Sequence, residues 1–398
     1  MKSCVVTYRA VCTALALSLP VAGLRAQERL FPQKPQSVKA PQIEVCFVLD
    51  TTGSMGGLIA GAKAKIWSIA NQMISAKPTP KLRIGLIGYR DRGDQYVTKV
   101  FDLTEDIDAV YGHLQEFQAA GGGDTPESVN QALAEAVTKI SWNPDKSVLK
   151  IIFLVGDCPP HMDYPDDVKY QDTCQAAVKK DLIINAVQCG SHAATTPIWR
   201  EIARLAEGSY VAIGQTGDMQ IVTTPMDKKL AELNVELGKT LLPYGEEDER
   251  DGVRVKQAMS EAAEPGRAAD RLAYNAKTGK VVQGGGDLVD AIQAGEIKLD
   301  SVKKEHLLAD MQSMSAEQRR EYVKQKADER RQLQTRINEL LKQRQVYIGA
   351  EMRRLMQEGQ ANAFDTKVAQ IIREQARRKG IEYGRVSTTQ SDEQPEGK

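Results

Sequence analysis

The chain has 398 residues, with 53 Lys and Arg against 53 Asp and Glu and only 5 % aromatic residues. A balanced charge produces no overall field toward nucleic acid or an acidic membrane, and so few rings leave little for base stacking, so no nucleic-acid partner is expected. The length is enough for a full-sized core and a second structural region.

The first residues read as a targeting segment. Lys2 and Arg9 supply basic charge, Ala10 to Leu19 is a short apolar run, Pro20 breaks it, and Leu24-Arg25-Ala26 ends in a small residue. Residues 1–26 are therefore expected to be a cleaved signal peptide, with a periplasmic or extracellular mature protein. That run is too short to span a bilayer and no later stretch is long enough, so no stable membrane insertion is expected. Residues 27–41, punctuated by Pro32, Pro35 and Pro41, read as a linker.

From residue 42 the pattern changes. Ile43 to Leu49 is a near-continuous apolar run ending at Asp50, as expected of a strand buried on both faces. Leu58, Ala62, Ile66, Ile69 and Met73 follow at helical spacing. Leu82 to Tyr89 reads as a second strand, and Tyr96 to Leu103 as its hairpin partner through the Arg92-Gly93-Asp94 turn. A helix is expected over 128–140, a buried strand over 148–155, a helix over 168–179, a strand over 182–188, a helix over 197–206 and a short strand over 209–213. Thr224-Pro225 opens a helix with a stripe of Leu230, Leu233, Leu237 and Leu241, ended by Pro243 and Gly245. Strands alternating with helices predict an α/β fold over 42–243 with a doubly wound, mainly parallel sheet.

Residues 244–302 read as a connector containing a charged stretch at 246–254, a Gly284-Gly285-Gly286 turn and a short helix at 288–293. Residues 303–386 form a helical region. Ser315 to Gln318 is a capping box opening a helix toward Glu358, with Leu333, Ile337, Leu340, Leu341, Ile348, Met352 and Leu355 as its stripe. Asn362 caps a last helix carrying Phe364, Val368, Ile371 and Ile372. Residues 387–398 are polar and expected to be disordered.

The chemistry lies where strands end. Asp50, Thr52 and Ser54 place a carboxylate and two hydroxyls at alternate positions, with Gly53 allowing a tight fold. Gly121-Gly122-Gly123-Asp124-Thr125 delivers another hydroxyl ahead of a helix, and Asp157 ends the strand expected beside the first. In a doubly wound sheet these carboxyl ends share one crevice. Hard oxygen donors select Mg²⁺, Mn²⁺ or Ca²⁺ over zinc. Such a donor set leaves a Mg²⁺ ion with waters and a position for an outside ligand, and a partner protein's Asp or Glu carboxylate suits that position.

This segment resembles the von Willebrand factor A family, whose metal-ion-dependent adhesion site follows D-x-[ST]-x-S, then a loop Thr, then a strand-end Asp. Asp50, Thr52, Ser54, Thr125 and Asp157 match it in order. The resemblance covers about half the chain. It implies direct hydroxyl contacts from Thr52, Ser54 and Thr125, with Asp50 and Asp157 acting largely through water. Gly-Gly-Gly-Asp-Thr-Pro-Glu at 121–127 further resembles a bacterial and alpha-kinase-associated branch, although no kinase-like segment follows. The C-terminal helices are similar to those appended to A domains of secreted bacterial proteins of unassigned function.

Other residues carry weaker signals. His161 and Asp163 border the expected site as added ligands or as an acid–base pair, against a plain reading as a locally bonded Pro-Pro loop. Asp124 and Glu127 offer a second cation site, against helix capping. Cys174 and Cys189 form the favoured disulfide, against free buried thiols. The long helix packs back on its own chain or mediates self-association. GxxxxGK[ST], GxGxxG, HExxH and GxSxG are all missing from the sequence. The expected function is thus a cation-dependent binding protein rather than an enzyme; a metal-dependent hydrolase and a helical assembly protein with a structural A domain are the alternatives.

Overall fold

The computed structural model describes residues 40–123, 125–358 and 364–384. The expected signal peptide, most of the linker, Asp124, the Asn362 cap and the polar tail lie outside the described residues. Residues from Ala40 onward make up one compact unit.

A six-stranded sheet forms its centre: β1 (Gln42–Asp50), β2 (Lys81–Tyr89), β3 (Thr98–Thr104), β4 (Leu149–Gly156), β5 (Ile183–Cys189) and β6 (Tyr210–Ile213), in the order β3-β2-β1-β4-β5-β6. All pairings are parallel except the β2–β3 hairpin at the edge. β1 and β4 register over Ile43–Leu149 to Leu49–Val155, which brings the end of β1 beside the end of β4. The chain leaves β1 toward β2 on one side and reaches β4 on the other, so this is the point where the strand order reverses and a crevice opens.

Alternation along β1 divides the core. Ile43, Val45, Phe47 and Leu49 face one apolar layer, and Cys46 and Val48 face the other. The second layer is covered by α3 (Val129–Thr138), α4 (Tyr170–Lys179) and α5 (Thr195–Leu205). The first is covered by α1 (Gly56–Met73), α2 (Ile107–Glu116) and, unexpectedly, α12 (Phe364–Arg377). α6 (Asp227–Gly238), the helix that follows β6, packs on other helices instead of on the sheet. α12 arrives from more than a hundred residues later and lies beside α1. Its Phe364 meets Phe47 at 6.3 Å, and Gln375 exchanges hydrogen bonds of 2.7 and 3.2 Å with buried Asn185 on β5.

Helices also form where the sequence pattern left connector. α7 (Glu247–Glu261) opens with a Glu246/Glu249 capping box, and α8 (Pro265–Thr278) begins on Pro265 and ends at Gly279, whose φ is 73°. α7 is mostly charged, and the buried face of α8 mixes Ala268, Ala269, Leu272 and Tyr274 with Arg271 and Asn275, so neither shows a clean apolar stripe; Ala, Glu, Arg, Lys and Gln supply the propensity. α2 was also unmarked; Asp106 caps it by accepting from the Ala109 N–H at 3.0 Å.

α9 (Leu288–Gln293), α10 (Ala309–Gln312) and α11 (Ala316–Gln357) precede α12. The Ser315 capping box forms as expected. α11 packs back on its own chain, with Ile337, Leu333, Leu340 and Leu341 against α6 and α8. Buried ion pairs fasten this layer. Arg271 on α8 holds Asp108 on α2 at 2.7 and 2.9 Å. Arg330 on α11 reaches Asp287 and Asp290 at 2.6 Å, and Arg344 reaches Asp227 and Asp270 at 2.7 Å. Arg344, which breaks the apolar stripe in the sequence, is thus a buried clamp.

Because α12 completes the sheet's own core, truncating it destabilises the α/β layer. Ile372 is fully buried, and Ile372→Ala is expected to cost about 2–5 kcal/mol in urea unfolding. A loss confined to the helical layer, with tryptophan fluorescence of Trp67 and Trp199 unmoved, would contradict this packing.

Candidate metal centre

β1 delivers Asp50 completely buried at its last position. The chain then turns on that carboxylate: Asp50 Oδ1 accepts from the Thr52 N–H at 2.9 Å and from Thr52 Oγ1 at 2.6 Å. Thr52 Oγ1 lies 3.3 Å from Ser54 Oγ, and Ser54 is exposed at the surface of the crevice. The first three residues of the motif therefore converge.

The glycine loop is laid across this turn by main-chain bonds, Gly53 N–H to Gly121 O at 3.1 Å and Ala120 N–H to Thr51 O at 3.1 Å. Gly121 and Gly122 have φ of 77° and 71°, a region open to glycine and strained for other residues. A side chain on Gly121 would strike the Asp94 carboxylate, and one on Gly122 would sit 3.1 Å from Thr52 Cβ. Thr125 lies exposed on the same loop, without a hydrogen bond to the other four motif residues among the described residues. Asp157, just after β4, is buried; its Oδ2 accepts from Gln215 Nε2 at 2.7 Å, and its carbonyl accepts from Thr195 Oγ1 at 2.8 Å.

Several buried oxygens here have no hydrogen-bond partner: Asp50 Oδ2, Asp157 Oδ1, Glu127 Oε2 and the Tyr89 hydroxyl. Burial, only partly offset by the Thr52 bonds, pushes the Asp50 carboxyl up to about 7. Burial and the neighbouring Asp50, Asp91, Asp94 and Asp157 push Glu127 up to about 9. Unpaired buried carboxylates are costly, and a hard divalent cation is the compensation that such oxygens fit. Asp50, Asp157 and the hydroxyls of Thr52, Ser54 and Thr125 would hold it. Among the described residues no group of three or more His, Cys, Asp or Glu is arranged to hold a metal, so the hydroxyls are essential to this donor set.

His161 is engaged elsewhere. Its Nδ1 lies 2.8 Å from Asp163 Oδ1, its Nε2 3.2 Å from Asp91 Oδ2, and its ring stacks on Tyr164 at 4.1 Å. That is the locally bonded loop of the plain reading. Exposed Asp163, whose carboxyl this hydrogen bond holds below its usual range, is spent on His161. The expected Cys174–Cys189 bridge is not formed; both thiols are free and buried. Cys174 lies in the α3–α5 layer and Cys189 in the α1–α12 layer, so the sheet separates them. Asp91, Asp94 and Gln215 were missed by sequence reasoning. Their signal was position alone, just beyond the carboxyl ends of β2 and β6.

Residues 44–215 match the family model of the von Willebrand factor A domain. This segment is a von Willebrand factor A domain. Von Willebrand factor A domain-containing protein 7 of Rattus norvegicus is 37 % identical over 124 residues, which are 31 % of this chain and 13 % of that protein. An ariadne-like RING finger protein of Acanthamoeba polyphaga mimivirus is 21 % identical over 231 residues, 53 % of this chain and 22 % of that one. The chain thus spans less than a quarter of the length of these relatives. Among solved structures, proximal thread matrix protein 1 from the mussel byssus, with a zinc-occupied MIDAS motif, covers 44 % of this chain and 42 % of its own, at 14 % identity and a TM-score of 0.33.

The raised Asp50 carboxyl sets a pH dependence for the cation-free A domain. Its folded value lies above its unfolded one, so its ionisation opposes folding: the cost is absent below about pH 4 and complete above about pH 7. Asp50→Asn is expected to stabilise the EDTA-treated protein at pH 8, on the order of 2–4 kcal/mol, and to make no such difference at pH 4. Urea midpoints at the two pH values check this; an equal change at both would refute it.

Proposed function

We propose that the A domain is a metal-ion-dependent adhesion site that holds one Mg²⁺-class cation and binds an acidic group of a protein partner through it. The observation that carries this reading is the pair of unpartnered buried oxygens, Asp50 Oδ2 and Asp157 Oδ1, beside the Thr52 and Ser54 hydroxyls. The bound ion would supply a Lewis-acidic position for an outside carboxylate. Asp50 orients Thr52, Gln215 steadies Asp157, and the glycine loop brings Thr125 to the rim at an exposed position where a guest has access.

Binding is favoured over hydrolysis because His161, the histidine nearest the crevice in sequence, has both ring nitrogens beside carboxylates and its face covered by Tyr164. Export is proposed from the sequence of residues 1–26, and among the described residues no helix is long and apolar enough to cross a membrane. Self-association through α11 is a secondary proposal, supported by Val346 and Tyr347, which stay exposed there.

Mg²⁺ at a hundredfold excess over its Kd should stabilise the protein by about 2.7 kcal/mol relative to EDTA. Thr125→Ala should weaken Mg²⁺ by about 10-fold while leaving the melting temperature in EDTA unchanged, because Thr125 is exposed. Partners captured from the secreted fraction in Mg²⁺ should elute with EDTA and fail to bind Asp50→Ala. A melting curve indifferent to Mg²⁺ would sink the proposal.

A further inference from the structure

Arg90 follows β2 directly and is none of the five motif residues, yet it is only 3 % exposed. Among the described residues no carboxylate pairs with its guanidinium, which grips two main-chain carbonyls instead. Nε donates to Thr51 O at 3.2 Å and Nη2 to Gln118 O at 2.7 Å, and the Tyr96 ring lies under the guanidinium with its centroid 4.4 Å away. Thr51 stands between Asp50 and Thr52, and Gln118 opens the loop that carries Thr125. One side chain thus ties the first stretch of the motif to the second.

The residues after Arg90 hold the same loop. Ser128 N–H donates to Arg90 O at 3.2 Å and Ser128 Oγ to Asp91 Oδ1 at 2.9 Å, so one dipeptide pins the far end of the loop as well as its start. Between these ends, Gly122 N–H donates to the Asp94 carboxylate at 3.1 Å. The Tyr164 hydroxyl, from the loop that follows Asp157, donates to Asp91 Oδ2 at 3.0 Å. A loop containing Gly121, Gly122 and Gly123 has much backbone freedom to lose, so without such anchors Thr125 would be spread over many positions. A guanidinium suits this task because its rigid fork serves two acceptors at fixed positions, whereas a lysine ammonium is a single point charge.

We propose that Arg90 is a positioning residue for the cation site, fixing the loop that carries Thr125 against the Asp50–Ser54 turn. This rests on the cation reading above and goes beyond its five ligands. Among the described residues Arg90 bonds to no side chain of those five; it holds main chain, so that Thr125 is in place before the ion arrives. Its effect on affinity therefore passes through Thr125, and the two residues are energetically coupled.

The test is a double-mutant cycle in the full chain with Arg90→Met, Thr125→Ala and the pair, Mg²⁺ affinity being measured by calorimetry. Arg90→Met keeps an unbranched stem and removes the donors. Each single change is expected to weaken Mg²⁺ by about 10-fold, and the pair by well under about 100-fold, since a loosened Thr125 has little left to lose. Hydrogen exchange in EDTA is followed in peptides containing the Gly53 and Ala120 amides, which bond across the two segments, and should quicken in Arg90→Met. Additive losses, near about 100-fold in the pair, or exchange unchanged in Arg90→Met, overturn the role of Arg90 and leave the cation reading standing. A wild-type chain that takes up no Mg²⁺ overturns both. Should circular dichroism show that Arg90→Met does not fold, Arg90→Lys, which keeps the charge but lacks the fork, takes its place in the same cycle with the same two readouts.

Discussion

Asp50, Glu127 and Asp157 are buried near the carboxyl ends of the sheet, and among the described residues no Lys or Arg is paired to any of them. Such an arrangement disfavours ionisation, since a carboxylate there loses its hydration and meets like charges, and Asp50 and Glu127 are pushed above their usual range. The apolar layers on both faces of the sheet tolerate it, because β1 and β4 are buried along nearly their whole length and cannot unfold locally to hydrate their ends. The strand ends are thus a rigid frame that keeps oxygen donors apart from water and from positive side chains. Unpaired buried oxygens of this kind are what the cation proposed above would compensate.

The helical region contributes to that frame. α12 completes the face of the sheet that α6 leaves uncovered, and the Phe364 N–H donates to Gly217 O at 2.9 Å. Two residues before Gly217, Gln215 bonds to the Asp157 carboxylate. A short loop after β6 therefore touches both the N-terminus of α12 and the crevice. The Arg271 clamp ties α8 to α2, while Arg330 and Arg344 tie α11 to the start of α9, to α6 and to α8. Residues beyond the A domain are thereby part of the same folded unit as the site.

What was legible and what was hidden follow from the range of the interactions. β1, β4 and β5 announce themselves because a strand buried on both faces must be apolar throughout. The turn at Asp50 was visible because Asp, Thr, Gly and Ser serve purposes there that few other residues can. α7 and α8 were not visible, because much of what they bury is polar or alanine, such as Gln257 and Ser260 on α7 and Ala268, Arg271 and Asn275 on α8, and such residues mark no apolar stripe. The stripe on α11 was visible, while Arg344 looked like an interruption; its partners Asp227 and Asp270 come from α6 and α8, far away in sequence. The cysteine pairing failed for a related reason, since residues near one another along the chain lie on opposite faces of a sheet.

The sequence by itself determined the order of the strands and of the helices that carry an apolar stripe, and five oxygen-bearing residues in the turns and loops beyond the strands, all of which depend on local propensity and burial pattern. Only the tertiary structure decided that α12 rather than α6 covers the sheet beside α1, that His161 lies between the Asp91 and Asp163 carboxylates, and that Glu127 Oε2 is buried with no partner. Those outcomes depend on which distant surfaces meet, and packing between distant segments leaves no periodic trace in any one of them.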